Sequence, residues 1–225
     1  MRTRASLAAA FLLVAACSSK EKTASDTATQ STANADPDRN VSGGSLPAGY
    51  TARTDKPDAD ISGAKYSESG NEWEVTTGPA HIVYNPATVG NGNYTASASF
   101  DQLEKPAHPE AYGIFVGGRD LDQATQAYTY FLVRGTAEFA VKARDGDPRD
   151  VLKWTASADV PKEDANGKAH YDLAVQVSDT GLKFIVNGKE VASLRQQGLP
   201  SQGVAGLRIN HNLHVKVTPV TIKTP

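Results

Sequence analysis

Apolar and polar side chains alternate with a period of two residues through most of the chain between Trp73 and Val217. Successive residues of a β-strand point to opposite faces of a sheet, so this pattern is typical of strands with one buried and one solvated face. The clearest runs are 72–75, 94–101, 137–144, 152–159 and 207–217. The pattern therefore restricts the chain to folds that pack strands into sheets around a shared core.

Two further segments, 111–116 and 128–133, are apolar at consecutive positions. A strand that is buried on both faces has this composition, so we expect both segments to be central strands. The Asn187-Gly188 dipeptide separates two shorter apolar runs and readily supplies the two positive φ angles of a tight hairpin turn. No helical stripe exceeds about two turns. We therefore predict an all-β chain, an antiparallel β-sandwich or jelly roll.

The first residues have the pattern of an export signal. Arg2 and Arg4 precede the apolar run 7–16, which has about half of the roughly twenty residues that a spanning helix needs. The ending Val14-Ala15-Ala16-Cys17 resembles the lipobox of bacterial lipoproteins, which is cleaved before a lipidated cysteine. Cys17 is the only cysteine of the chain, so it has no disulfide role within it. We expect 1–16 to be removed and Cys17 to carry the lipid; an ordinary signal peptide ending is the alternative.

The expected lipidation of Cys17 also predicts where the protein is located in the cell. Several acyl chains on one residue give stable anchoring, so we expect a protein of the bacterial cell envelope, on the extracytoplasmic side of a membrane. By resemblance to enterobacterial lipoproteins, Ser18 after the cysteine favours the outer over the inner membrane.

The sequence divides into a tether and a single domain. Residues 17–45 consist mainly of small and polar residues and have no aromatics, so they cannot bury enough apolar surface to offset the entropy of ordering. We expect this segment to be a flexible tether. Residues 46–225 suffice for one domain with a sizeable core.

The charge of the chain excludes one class of partner. Loss of Arg2 and Arg4 with the signal segment leaves the mature chain more acidic than the net charge of −2 of the whole sequence. No basic stripe is present. Nucleic acid is therefore not predicted as a partner.

The order of the predicted strands resembles a known superfamily. The phrases that carry the resemblance are Tyr-Gly-Ile-Phe-Val-Gly-Gly-Arg119, Tyr-Thr-Tyr-Phe-Leu-Val-Arg134, His-Tyr-Asp-Leu-Ala-Val-Gln-Val177, Leu-Lys-Phe-Ile-Val-Asn-Gly-Lys189 and Gly-Val-Ala-Gly-Leu-Arg-Ile-Asn-His211. Between about Gly70 and Lys223 the chain is similar to concanavalin A-like jelly rolls, in particular to laminin-G-like domains and bacterial 3-keto-disaccharide hydrolase domains. The resemblance implies a carbohydrate ligand on the concave sheet. The E-x-D-x-x-E motif of the laminarinase-type enzymes is absent from this sequence.

Aromatic and arginine side chains form the candidate ligand site. Sugar rings stack on aromatic planes, and their hydroxyls pair with the forked donors of arginine. Tyr128, Tyr130 and Arg134 share one face of a predicted central strand, and Arg119 ends the strand before it. We expect these four residues to point into one groove; the alternative is that both tyrosines belong to the core between the sheets.

His211 has two open interpretations. In the predicted final strand it shares the apolar face with Leu207 and Leu213. A hydrogen-bonded histidine inside the core explains this position, as does a histidine in a ligand cleft, where it could donate to a sugar hydroxyl or act as a base.

Carboxylate pairs give weaker indications. Glu72 and Glu74 share one strand face about 6.6 Å apart, close to the spacing of inverting glycosidases, although they also fit the solvated side of a strand. Asp120 and Asp122 provide only one pair of hard oxygen ligands for calcium. We predict neither a metal site nor a cofactor.

These patterns predict a non-catalytic, membrane-tethered module whose ligand is a saccharide. A glycoside-cleaving enzyme of the concanavalin A-like superfamily is one alternative. A structural or protein-docking module of the envelope is the other.

Overall fold

The computed structural model describes residues 37–56 and 59–225, which form two antiparallel sheets. Sheet A contains, in spatial order, β1 (Thr51–Thr54), β4 (His81–Gly90), β13 (Gly203–Ile209), β6 (Ala111–Arg119), β7 (Ala127–Arg134), β8 (Glu138–Asp145) and β9 (Asp147–Ala156). Sheet B contains β12 (Lys189–Arg195), β11 (Gly181–Val186), β10 (Ala169–Ser178), β5 (Tyr94–Gln102), β14 (His214–Val217), β3 (Glu72–Thr77) and β2 (Ala64–Ser69). A short strand, β15 (Thr221–Lys223), also pairs with β5.

The core lies between the two sheets. In β5 the alternate residues Tyr94, Ala96, Ala98 and Phe100 are all buried, whereas the residues between them are half-exposed. The same alternation holds in β3, β10 and β11. Burial of these alternate side chains against the opposite sheet supplies most of the driving force for this architecture. The predicted antiparallel jelly-roll sandwich is confirmed.

The predicted central strands and hairpin are also confirmed. Strands β6 and β7 lie inside sheet A and are buried on both faces over nearly their whole length. Asn187 and Gly188 have φ angles of 49° and 79° and connect β11 to β12. Strands β10, β11 and β12 are hydrogen-bonded in sequence order, as expected of a meander.

The predicted final strand, 207–217, is wrong as a single element. Its first part is β13 of sheet A and its last part is β14 of sheet B, and the turn between them includes Asn212 at a φ of 56°. Each strand buries its own alternate residues in the same core, so the period of two continues across the crossover. His211 therefore lies in the connection, with 24% of its side chain exposed, and not in a row with Leu207 and Leu213.

The alternation in 152–159 predicts that Leu152 and Trp154 share one buried face, but Trp154 lies on the opposite face of the sheet. The pairing of β8 with β9 shifts register on both sides of Val141. A shift of one residue turns the following side chains to the opposite face of the sheet. Leu152 packs against the core between the sheets, whereas Trp154 is half-buried on the outer face of sheet A.

Residues 37–45, which composition assigns to the tether, belong to the same compact unit as the domain. The backbone N–H of Arg39 donates to Asn212 Oδ1 at 2.5 Å, and its guanidinium lies 2.7 Å from Glu104 Oε1. These contacts hold the start of the described chain on the domain. Cys17, the signal segment 1–16 and residues 18–36 of the predicted tether lie outside the described residues.

One helical element, a 3-10 turn at Ile61–Gly63, occurs in the part of the chain that the structure describes. No helix there has the length and apolar character required to cross a membrane.

Candidate functional site

A pocket of about 360 Å³ opens on the outer face of sheet A, which is turned away from sheet B. Its walls come from β6, β7, β8, β9 and β13 and from the segments after β1, before β6 and after β13. The residues that line it are Asp55, Pro109, Glu110, Ala111, Tyr128, Tyr130, Leu132, Arg134, Lys142, Arg144, Pro148, Trp154, Arg208 and Asn210. The pocket thus combines aromatic rings with an unusual number of charged groups.

A second apolar cluster supports the pocket from below. It is separate from the core between the sheets and consists of Ile82, Tyr84, Ala111, Phe115, Leu121, Tyr128, Tyr130 and Leu132, with Trp154 and Val204 packed against it. This cluster explains why β6 and β7 are apolar on both faces: one face packs toward sheet B and the other toward the pocket. The aromatic residues of the site are therefore held by close packing.

Tyr128 and Tyr130 form the aromatic base of the pocket. Their ring centroids are 5.2 Å apart, and Phe115 packs at 5.1 Å from Tyr128. Burial raises the pKa of both phenols, that of Tyr130 to about 12, so both carry their protons at neutral pH. Neither hydroxyl hydrogen-bonds to another group of residues 37–56 or 59–225. Two neutral O–H groups are thus present at the base of the pocket.

Arg134 and Trp154 form one wall. The Arg134 guanidinium lies over the Trp154 ring, 4.3 Å from its centroid. Its Nε donates to Glu138 Oε2 at 2.9 Å, and Nη2 lies 2.7 Å from the same oxygen. Because Glu138 fixes the guanidinium, the cation–π contact holds both side chains in one orientation.

Arg208 and Asp55 form a buried ion pair beneath the tyrosines. Nη1 and Nη2 of Arg208 donate to the two carboxylate oxygens of Asp55, and Arg208 is 7% exposed. Burial raises the pKa of Asp55, but the charge and hydrogen bonds of Arg208 outweigh this effect and the net pKa is lowered. For Arg208, burial lowers the pKa, whereas Asp55 raises it above the ordinary value. Both groups are therefore charged at neutral pH.

Two more cations reach the pocket from β8. Lys142 Nζ lies 3.0 Å from Asp150 Oδ1. Arg144 has no carboxylate within ion-pair distance among the described residues. With the Gln126 amide oriented to satisfy its neighbours, the Gln126 oxygen accepts from Arg144 Nη1 at 3.0 Å and from Arg53 Nε at 3.3 Å. Arg144 is thus oriented by a neutral partner.

Three polar atoms of the pocket residues are buried and lack a hydrogen-bond partner in the described part of the chain. They are Nε of Arg144, Nε of Arg208 and Oδ1 of Asn210. Buried polar atoms are normally paired. The site therefore retains hydrogen-bonding capacity that the described protein groups leave unused.

The structure brings together three of the five predicted ligand residues. Tyr128, Tyr130 and Arg134 all line the pocket. Arg119 is exposed at the end of β6 and does not line it. His211 Nε2 lies 2.9 Å from Oε1 of Glu110, a pocket residue, but His211 itself is outside the lining.

Sequence reasoning did not assign Asp55, Arg208, Lys142, Arg144 and Trp154 to this site. The sequence does contain a signal for two of them. Lys142 and Arg144 occupy alternate positions of β8, so they share one face, and β8 lies beside β7, which is apolar on both faces. Asp55 and Arg208 are 153 residues apart, and no local pattern connects them.

The predicted carboxylate pairs lie elsewhere. Glu72 and Glu74 are on the solvated face of sheet B, where Glu72 pairs with Lys216 at 2.6 Å and Glu74 with His214 at 2.8 Å. Within residues 37–56 and 59–225, no group of three or more His, Cys, Asp or Glu side chains is arranged to hold a metal ion.

No protein-family model and no curated protein matches the sequence. Solved structures do match the fold. The carbohydrate-binding module CBM66 from Bacillus subtilis aligns over 78% of this chain and 96% of its own, with a TM-score of 0.58 and 12% identity. A family 16 glycoside hydrolase endo-glucanase from Bacteroides ovatus aligns over 77% and 94% (TM-score 0.55, 8% identity). A galectin-like protein of unknown function from Bacillus subtilis aligns over 77% and 88% (TM-score 0.52, 11% identity). The predicted concanavalin A-like fold is thereby confirmed.

Proposed function

We propose that this protein is a carbohydrate-binding module and that the pocket on the outer face of sheet A is its ligand site. The observation that carries the proposal is the wall formed by Trp154 and Arg134 above Tyr128 and Tyr130. It places flat apolar rings and oriented hydrogen-bond donors in one concave site, as a sugar ring requires.

The chemistry of each side chain fits a part of a sugar. The C–H face of a pyranose or furanose ring packs on an aromatic plane such as Trp154. Ring hydroxyls accept from the phenols of Tyr128 and Tyr130 and from the guanidinium of Arg134. Because Glu138 and the apolar cluster already orient these groups, binding orders few side chains, which favours affinity.

The fold permits both binding and hydrolysis, since a binding module and an endo-glucanase share it. The pocket itself supports binding. The two carboxylates that the described residues contribute both engage protein groups: Asp55 pairs with Arg208, and Glu110 accepts from Asn210 Nδ2 at 3.1 Å. These roles position the pocket residues and do not require proton transfer.

Calorimetric titration with neutral and acidic oligosaccharides tests the proposal on the chain that starts at Ser18 and retains the whole compact unit. Trp154→Ala should weaken the binding of any bound saccharide at least tenfold, about 1.4 kcal/mol. Lys153→Ala removes an exposed neighbour and should leave affinity unchanged. A folded protein that binds no saccharide contradicts the proposal. Release of shorter sugars in the same mixtures would contradict its non-catalytic part.

We further propose that Cys17 is lipidated and anchors the module on the extracytoplasmic side of a bacterial membrane, with the outer membrane favoured where there are two. The support is the signal pattern of 1–16 and the lipobox-like ending at Cys17. Radiolabelled palmitate should label the wild-type protein in cells and not Cys17→Ser. Equal labelling of both proteins, or recovery of the wild type in the soluble fraction, would contradict this anchoring.

A further inference from the structure

We propose that the pocket selects an acidic saccharide, one whose sugar ring carries a carboxylate, and that Arg144 pairs with this carboxylate. The inference rests on the carbohydrate-binding function proposed above and specifies its ligand class.

The first observation is the balance of charge. Among the described residues, Arg134, Lys142, Arg144 and Arg208 line the pocket together with two carboxylates, Asp55 and Glu110. Three of the four cations have a carboxylate partner. Arg208 pairs with Asp55 inside the pocket, and two carboxylates just outside the lining serve the others: Glu138 pairs with Arg134 and Asp150 with Lys142. Glu110 pairs with His211. Arg144 is the cation that the described residues leave without a carboxylate.

The second observation is the unused donor. Arg144 Nε is buried and has no hydrogen-bond partner in residues 37–56 and 59–225, while Nη1 is held by the oxygen of Gln126. The charge of Asp55 reaches Arg144 only from beyond ion-pair distance, and a half-buried cation with no carboxylate in contact is unfavourable. Nη2 of the same guanidinium is accessible and also has no hydrogen-bond partner among the described residues, so a carboxylate in the pocket would accept from Nη2 and supply that charge.

The third observation concerns Tyr128 and Tyr130, which lie near Arg144 and Arg208. Burial raises the pKa of Tyr128 and Tyr130, the charges of Arg208 and Arg144 act to lower it, and the charge of Asp55 acts to raise it. The positive potential of both arginines therefore reaches the phenol oxygens. Protonated phenols in a positive field present donors to a ligand, and an anionic ligand needs donors.

The test compares sugars that differ only in charge. Oligogalacturonate, oligoglucuronate and oligomannuronate are titrated by calorimetry against their methyl esters, which keep the backbone and remove the negative charge. We expect at least one acid to bind at least tenfold more tightly than its ester. We also expect this difference in affinity to become smaller when NaCl is raised from 50 to 500 mM, because the higher concentration shortens the Debye length to roughly 4 Å and screens the charges.

The variants locate the effect. Arg144→Gln should remove the preference for the acid, and Arg144→Lys should retain part of it because the charge remains and the forked donor is lost. Arg149→Gln is the matched control: it removes an exposed arginine of the neighbouring strand that does not line the pocket. Thermal unfolding confirms that each variant is folded.

Each outcome decides the question. Binding of an acid and its ester with equal affinity overturns the ligand class and leaves carbohydrate binding intact. Equal loss of preference in Arg144→Gln and Arg149→Gln overturns the role of Arg144. Absence of binding to every acidic and neutral saccharide overturns both this inference and the proposed function.

Discussion

Arg208 is a fixed charge beneath the aromatic base of the pocket, and a single carboxylate compensates it. Asp55 follows the edge strand β1 and is more exposed than Arg208, yet it accepts from both terminal nitrogens of the guanidinium. The buried charge of Arg208 is therefore compensated by a residue, Asp55, that is itself more exposed. The pair thus connects the stability of the domain with the shape of its ligand site.

We predict that Asp55→Asn lowers the free energy of unfolding by about 2 kcal/mol, because Arg208 stays charged and buried with a weaker acceptor. Asp150→Asn, which breaks the more exposed pair with Lys142, should change it by less than about 0.5 kcal/mol. Urea denaturation of both variants at pH 7 measures the difference. Similar values for the two variants would contradict the account of the buried pair.

His81 makes the stability of the domain depend on pH. It is fully buried, with Nδ1 2.9 Å from the carbonyl oxygen of Pro79 and Nε2 against the Tyr66 hydroxyl. Burial lowers the pKa of His81 from 6.5 to about 4. Between these values the unfolded chain binds a proton that the folded domain does not, so stability falls as the pH decreases through this window.

We predict that this loss amounts to about 3 kcal/mol between pH 6.5 and 4, and that it becomes smaller in His81→Gln. His170 is a suitable control, because its hydrogen bond to Asp101 raises its pKa and its contribution therefore has the opposite sign. His170→Gln should leave the loss at least as large as in the wild type. Denaturation curves at several pH values provide the test, and an unchanged loss in His81→Gln would refute it.

At the scale of the elements, a bulge shapes the central strand beside the pocket. The pairing of β6 with β7 shifts register between Val116 and Arg119, and Gly117 within this bulge has a φ of 70°. A Cβ atom at Gly117 would collide with the backbone of Pro200 and Ser201. The backbone of 200–201 can therefore pack this closely against β6 only because residue 117 is a glycine.

We predict that Gly117→Ala costs about 1–3 kcal/mol of stability more than Gly92→Ala. Both glycines have a positive φ, so both substitutions carry the left-handed backbone penalty. Only Gly117 has neighbours within 4 Å of the added Cβ, and only there does overpacking add to the cost. Thermal unfolding compares the variants; equal destabilisation would show that the loop adapts freely.

The elements also show what a period of two can and cannot predict. It predicted β3 and β5, because there the strands run without interruption, whereas the hairpin at Asn187 followed from its Asn-Gly dipeptide. It placed Trp154 on the wrong face, since a bulge reverses the alternation without disturbing the strand composition. It joined β13 and β14 because both bury alternate residues in one core.

At the scale of the whole molecule, the pocket is a product of topology. Tyr128, Tyr130 and Arg134 could be grouped from the sequence because they share one strand. Arg208 reaches them only because β13 lies directly beside β6, and Asp55 because β1 lies beyond β4 on the edge of the same sheet. Such long-range neighbours follow from strand order, which local patterns do not encode.

The central claim, that a saccharide binds on the outer face of sheet A, can be tested through the two tryptophans of the chain. Trp73 is 5% exposed in the core between the sheets, whereas Trp154 lines the pocket. In a fluorescence titration with a bound saccharide, Trp73→Phe should retain the emission change of the wild type, and Trp154→Phe should lose it. A change that persists in Trp154→Phe and disappears in Trp73→Phe would contradict the proposed location of the site.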